Sequence, residues 1–523
     1  MQHHGGGQRR ARRLLRRWVT GLTLMAGLIL APAGLRAGPS DENLDDVPFS
    51  HFLADAGVSA SQFEPFREWK GELTADEATT LEQILFRFDQ FNAAQLVKSA
   101  PVASDAKAPQ PGDVWRLDGR VESVSRVPLP EGASEELHRS GLFRCELVAT
   151  GNDGAELRVT ILTPRIPTAW QRGLDGEKLA EPASLQGVVL GSLVGDKAEH
   201  RLVVTNRIKW RPTSGIPAGT AWLAARGFDA GLLDDVRQHR PFAKPNESSE
   251  AAAFYSALAT LAAGDSAEIS RLAKSAVAAE AVRRQAIAAS AADRLRTLAI
   301  DLETARPEQR KSIEAEIAAL RRQQSTATHI QKRARQGLSS VVPLFNEPAE
   351  SVGHFFVIEG IARRAVRIAV GEPGSESSVV PGVSPLTAYY ELDVFPNDAQ
   401  NNPVICCVAR LPAGFPTGDV IRQPVRVSGI FFKKWLYARR PDGESADPAT
   451  PSRIAPPLML AAEPQWLQAT AAPRGNRGLW AGLAILGVGV AVWLVMLRTS
   501  RRDRLARQRL ARYDEPLDNL LED

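Results

Sequence analysis

Cysteine is nearly absent: three thiols (Cys145, Cys406, Cys407) in 523 residues exclude a disulfide-built scaffold. Cys406 and Cys407 are adjacent in a strand-like run, so their side chains point to opposite faces, and no C-x-x-C ligand spacing occurs. Of the eight histidines, His3 and His4 adjoin in the leader and the other six are scattered singly, and none pairs with another His or Cys at metal-ligand spacing. The G-x-S-x-G elbow, the G-x-x-x-x-G-K-[ST] phosphate loop and the H-E-x-x-H zinc helix are all missing. Asp234-Asp235 is a carboxylate pair without partners in sequence and reads as solvated surface. These absences leave no catalytic residue, cofactor-binding residue or metal ligand to nominate; no cofactor is expected, and the chain reads as a non-enzyme.

Two stretches lack charge of one sign or of both. Residues 1–37 hold seven arginines and no acid, and Trp18–Leu30 is an apolar run followed by small residues. That is the pattern of a secretory signal peptide cleaved after Ala33 or Ala37, with an uncleaved N-terminal anchor as the alternative. Leu479–Leu497 is 19 residues without a charge, about 28 Å as a helix, close to the hydrocarbon thickness of a bilayer. Seven arginines follow between Arg498 and Arg512, against Arg474 and Arg477 before it. The positive-inside rule then predicts a single-pass protein of the bacterial inner (cytoplasmic) membrane. Residues 38–477 lie outside the cytoplasm and the basic tail, 498–523, lies within. Gly478-x-x-x-Gly482 at the edge of the span allows a homodimer.

The net charge of +4 is therefore a topological figure. With the arginine-rich leader and tail set aside, the exported part is mildly acidic, which argues against nucleic acid as a partner.

Inside the exported part, residues 38–100 carry a helical region. Thr74 with Glu77 forms a capping box, and Leu81, Ile84, Leu85 and Phe88 recur at helical spacing. Residues 101–112 read as a Pro/Ala linker. An internal repeat comes next. Trp115, Leu117, Gly119 and Val121 match Phe356, Ile358, Gly360 and Ala362; Glu146-Leu147 matches Glu391-Leu392. Arg165-Ile166-Pro167 matches Arg410-Leu411-Pro412, Ala183-x-Leu185-x-Gly187 matches Val425-x-Val427-x-Gly429, and Trp210 matches Trp466. The two copies, 113–212 and 352–467, each hold five strand-like segments with glycines inside the first and fourth, where a small barrel must bend.

On these residues the chain resembles the OB-fold superfamily, and in particular tandem OB-like domains of bacterial single-span membrane-anchored proteins. The resemblance implies an α+β multidomain fold: two small five-stranded OB-like β-barrels separated by an Ala-rich helical insertion (213–340), with an N-terminal signal segment and a C-terminal transmembrane helix. A β-sandwich of the same strand count is the alternative. The insertion is expected to open with a short helix packed on the first barrel, then to run as a helix from Ser248 to about Leu302 and to turn at Pro307 into a second helix.

One stretch reads as a recognition surface. Phe431, Lys433, Trp435 and Tyr437 alternate in FFKKWLY and would share one face of a strand, an aromatic and basic platform able to stack on a sugar or base. The opposing reading places one set in the barrel core, with the lysine stems lying along apolar surface. The first expectation for function is a cell-envelope scaffold or adaptor with protein partners. The second is a module whose second barrel binds an oligosaccharide or single-stranded polymer, and the third is an enzyme with dispersed catalytic residues.

Overall fold

The computed structural model describes residues 49–55, 57–90, 109–131, 141–150, 156–193, 200–243, 248–370, 386–438, 453–468 and 477–511. The leader and the greater part of the 101–112 linker fall outside them, as does the tail after residue 511.

The chain opens with α1 (Phe49–Asp55), a 3-10 turn (Ala60–Glu68) and α2 (Ala75–Gln90). The Thr74–Glu77 box forms as the sequence predicts: Thr74 N donates to Glu77 Oε2 at 2.8 Å, and Glu77 N donates to Thr74 Oγ1 at 3.3 Å. Leu81, Ile84, Leu85 and Phe88 are buried, whereas Phe86 is exposed.

The first sheet comprises β1 (Val114–Pro128), β2 (Gly141–Thr150), β3 (Glu156–Thr163), β4 (Glu181–Leu193), β5 (His200–Val204) and the short β6 (Lys209–Trp210). Its order is β1-β2-β3-β5-β4, and β4 pairs back onto β1, so five strands close into a barrel. The β3–β5 pair is parallel and the others are antiparallel. Apolar side chains of all five strands meet inside, among them Trp115, Leu117, Leu147, Ile161, Leu185 and Val203.

Between the barrels lie the helices α3 (Ala218–Ala224), α4 (Glu250–Ala263), α5 (Ser266–Thr304), α6 (Pro307–Ala334), α7 (Val342–Asn346) and α8 (Pro348–Ser351). The turn at Pro307 is as expected, with proline at the first helical position, where its missing N–H costs nothing. The expected single helix from Ser248 is instead two. It breaks at Gly264, which packs against the Trp222 indole, and Asp265 caps α5 by accepting from Ala267 N at 2.9 Å.

The second sheet has β7 (Phe355–Ala369), β8 (Ala388–Pro396), β9 (Val404–Val408), β10 (Gln423–Lys434), β11 (Tyr437–Ala438), β12 (Arg453–Ile454), β13 (Pro457–Ala461) and β14 (Gln465–Trp466). Five of them close in the order β7-β8-β9-β13-β10-β7, again with one parallel pair, β9–β13. β11 and β12 form a separate two-stranded ribbon. The residues matched by the repeat occupy the same ladder positions in the two barrels. Trp115 pairs with Gly187 and Phe356 with Gly429; Leu117 pairs with Leu185 and Ile358 with Val427; Ala183 pairs with Trp210 and Val425 with Trp466.

Each barrel carries its own helical cover on an outer face. Val114, Leu162, Val188, Leu190, Leu202 and Val204 of the first barrel pack against Phe49, Phe66, Leu81 and Ile84 of the N-terminal helical region. Phe355, Val357, Ile405, Ile430, Phe432, Leu458 and Leu460 of the second pack against Trp222, Phe254, Leu258, Ile269 and Val277. α3 therefore lies on the second barrel and not, as expected, on the first. The cause is Gly219, whose missing side chain lets the helix approach the Gly353 carbonyl and Ile430. A helical layer followed by a closed barrel thus occurs twice in the chain.

One further helix, α9 (Arg477–Ala511), contains the apolar segment. Its part from Gly482 to Arg507 is the one helix among the described residues that is long and apolar enough to cross a membrane, and an 18-residue stretch of it has a mean hydropathy of 1.9. Leu483, Ile485, Leu486 and Val488 on it are exposed, as lipid-facing residues would be and core residues would not.

Candidate functional site

The aromatic and basic face expected on β10 is not assembled as a platform. The ladder to β13 slips between Phe431 and Lys433: Phe431 pairs with Met459 and Lys433 with Leu458, so Phe432 is an extra, bulged residue. Phe431 points into the barrel among Val425, Val427, Met459 and Ala461. Lys433 is turned to the other face, under α4, and is fully buried. Trp435 is partly buried against Phe242, with ring centroids 5.7 Å apart, and its backbone N donates to Pro456 O at 3.0 Å. The Tyr437 side chain lies outside the described residues; its backbone pairs with Ile454 in the ribbon. A strand of unbroken period 2 would have put these residues together, and the bulge separates them. The first barrel slips at the matching place, between Val189 and Gly191.

Around Lys433 the site is structural. Its Nζ donates to Glu250 Oε1 at 2.6 Å and lies 4.9 Å from the Phe242 ring centroid. Glu250, the first residue of α4, also accepts from Arg237 N at 3.3 Å and Ala243 N at 3.1 Å. Burial lowers the Lys433 pKa and the Glu250 carboxylate opposes that shift. Phe242, Phe254, Tyr255, Tyr389 and Phe432 pack edge to face or stacked around it, so this aromatic content holds the helical cover to the barrel.

The other residues singled out by sequence also fall into structural roles. Cys406 faces the barrel interior and Cys407 faces the helical cover, so the two thiols do point opposite ways. Both are free and buried, as is Cys145, and burial pushes all three thiols up. Asp234 Oδ2 accepts from Thr168 N at 2.7 Å, and Asp235 lies 3.6 Å from Arg207 and 3.8 Å from Arg165. The matched arginines Arg165 and Arg410 play similar parts: each ties its barrel to the helical region. Arg410 donates to the Ala262 carbonyl and to Ser266 Oγ, both at 2.9 Å, at the corner between α4 and α5.

Sequence reasoning missed a cavity of about 530 Å³ between the helical insertion and the start of the second barrel. Five segments far apart in sequence meet there: the 215–218 connection, the first half of α5, Ile330 of α6, residues 338–343, and residues 350–356 leading into β7. Ile216, Pro217, Val277, Ile330, Leu338 and Phe355 form an apolar wall. Glu280, Arg283, Arg284, Glu350 and His354 are its charged or titratable members. Arg284 is held by two carboxylates: Nε donates to Glu280 Oε1 at 2.7 Å, and its two terminal nitrogens go to the Glu347 carboxylate. Those bonds, led by Glu347, hold its pKa above the ordinary arginine value. Arg283 donates Nε and Nη2 to Glu280 at 2.7 and 2.8 Å. Burial lowers the His354 pKa; Glu280 opposes this, while Arg283 and Arg284 add to it. The Arg283-Arg284 pair in α5 was visible in the sequence, but its relation to His354 depends on a chain reversal of 28 helical residues in α6.

Among the described residues no group of three or more His, Cys, Asp or Glu is placed to hold a metal ion. Comparison with protein-family models, curated proteins and solved structures finds no match to this chain.

Proposed function

We propose that the protein is a membrane-anchored scaffold of the bacterial cell envelope that holds protein partners outside the cytoplasm. The observation carrying this reading is the arm made by α5 and α6. The first half of α5 lies on the second barrel, where Ile269, Ala273 and Val277 are buried. After Arg284 the buried residues of α5 are Ala291 and Leu298, and α6 buries none before Ala327. Residues 285–304 add about 30 Å of helix at ~1.5 Å per residue. A two-helix arm of that length contributes little to the barrel cores, and its solvated sides are free for partners.

Both barrels are read as OB-type. The support is the strand order 1-2-3-5-4 closing on strand 1, with a parallel pair of strands 3 and 5, found twice. The orientation follows from the arginines on either side of the apolar segment of α9: an N-terminal signal segment exports residues 38–477 and the basic tail stays in the cytoplasm. A phosphatase fused after residue 470 should be active outside the cytoplasm; inactivity there overturns the orientation.

The scaffold reading is tested by crosslinking in membranes followed by pull-down of the full chain and of a variant lacking residues 286–325. Partner proteins captured by the full chain and lost from the shortened one support it. The same captures from both, or none from either, refute it.

A further inference from the structure

The cavity between α5, the 215–218 connection and the start of β7 has the size and lining of a small-molecule site, independently of any partner on the arm. Pockets of about 300–1,000 Å³ with an apolar wall and a few convergent polar groups are where small ligands bind. Here the two kinds of wall are segregated along α5. Ala276 and Val277 belong to the apolar wall with Ile216, Ile330 and Leu338, and Glu280, Arg283 and Arg284 follow within about two turns along the helix, close enough to His354 to act on its charge. The geometry points to a ligand-binding site for an amphipathic monoanion: an apolar body against Val277, Ile330 and Leu338, and one carboxylate, sulfonate or phosphate head between Arg283 and His354.

The head group follows from which polar atoms are still available. Glu280 accepts from both arginines, and each of the three Arg284 nitrogens already donates to Glu280 or Glu347. Arg283 has half of its side chain exposed and keeps Nη1 without a partner among the described residues. The His354 imidazole likewise has no hydrogen-bond partner among the described residues, and its backbone N is held by the Ser351 carbonyl at 3.2 Å, which fixes where the ring starts. An anionic oxygen can accept from Arg283 and from His354 together, and such charge-assisted bonds are the strong ones. Glu350, exposed on the rim, adds a like charge that disfavours heads carrying more than one negative charge.

The test uses the full chain in lipid nanodiscs and equilibrium dialysis against 2-naphthalenesulfonate, with empty nanodiscs subtracted. One saturable site per chain is expected, and its absence overturns the proposal. Val277→Trp, which fills the apolar end, should abolish binding. Should that variant lose its unfolding transition, Arg283→Gln decides, since its side chain is half-exposed. It should weaken 2-naphthalenesulfonate about tenfold or more, a loss of ~1.4 kcal/mol or more, and leave the uncharged 2-naphthol unchanged. Equal effects on both compounds, or none on either, overturn the head-group assignment. Displacement of the probe by dodecanoate assigns a lipid-derived ligand and displacement by benzoate alone a soluble aryl acid; displacement by neither overturns the ligand class.

Discussion

Lys433 and Glu250 are 183 residues apart in sequence and form a hydrogen-bonded ion pair, Nζ to Oε1 at 2.6 Å, with both side chains removed from solvent. The pair joins β10 to the first turn of α4 beneath Phe242. Removing one partner leaves a buried charge without its counter-charge, which costs about 3–5 kcal/mol. Lys433→Met should therefore lower the free energy of urea unfolding by about that amount. Lys433→Met with Glu250→Gln should recover part of the loss, since no charge is left buried, while the single amide oxygen can accept from only one of Arg237 N and Ala243 N. A double variant as unstable as the single one would place the cost in packing.

Gly187 and Gly429 face the backbone of the neighbouring strand. A β-carbon on Gly187 would sit 2.6 Å from the Val204 carbonyl oxygen, and one on Gly429 would be closer still to that of Leu460. The obstacle is backbone in both cases and cannot rotate away. Gly187→Ala and Gly429→Ala should each destabilise by about 1–3 kcal/mol through overpacking. Thermal unfolding of each variant checks this, and a neutral substitution would mean that the strands separate at little cost.

His354 predicts a pH dependence with a defined sign. Its folded pKa lies below the ordinary histidine value because of burial first and of Arg283 and Arg284 next, with Glu280 opposing. A depressed pKa means that the unfolded chain binds the proton more readily, so the contribution to stability is present above about pH 6.5 and is lost as pH falls through the folded value. The urea midpoint should fall between pH 7 and pH 5, and His354→Gln should flatten that fall. The charged groups around the ring are the same in both proteins, so the difference between them reads the histidine.

All three thiols are buried, with pKa values raised by burial, so their thiolate populations are small. A thiol reagent at pH 8 should leave Cys145, Cys406 and Cys407 unmodified in the folded protein and label all three in urea. Rapid labelling without urea would show that a barrel opens.

Leu298 is 2% exposed near the far end of the arm. The Arg294–Glu316 ion pair, 2.8 Å between Nε and Oε1, sets the antiparallel register there and brings Leu298 to the level of Ile313. Leu298→Asp should open this end alone. Hydrogen exchange is expected to quicken in residues 292–318 and to remain unchanged in both barrels.

The barrels were legible because their signals are periodic and come twice. Trp115 and Phe356, Gly187 and Gly429, and Trp210 and Trp466 align in sequence, and each pair takes the same ladder position in its own barrel. The apolar span was legible for a similar reason, since 19 uncharged residues have few other uses. The platform on β10 was misread because period 2 holds only while the strand is regular, and one bulged residue, Phe432, sends Lys433 to the face opposite Phe431. The bulge had a trace in the sequence, Gly191, which follows the position of the first copy that matches Phe432. The placement of α3 was missed because Trp222 and Leu223 mark an apolar face without saying which barrel receives it. The cavity was beyond reach for the same reason: Ile216, Val277, Ile330, Leu338 and His354 come from segments whose meeting is decided by tertiary packing alone.

The way α5 and α6 double back at Pro307 makes the arm adjustable on its own. The insertion leaves the second barrel on one helix and returns to it on the next, so turns added to both helices at the tip would lengthen it without moving Ile269, Ala273 or Ile330 at the base. Four residues on each side lengthen the arm by about 6 Å. Reach from the barrels is thus a quantity that insertions and deletions can tune in steps of one helical turn, while the barrels and the cavity keep their geometry.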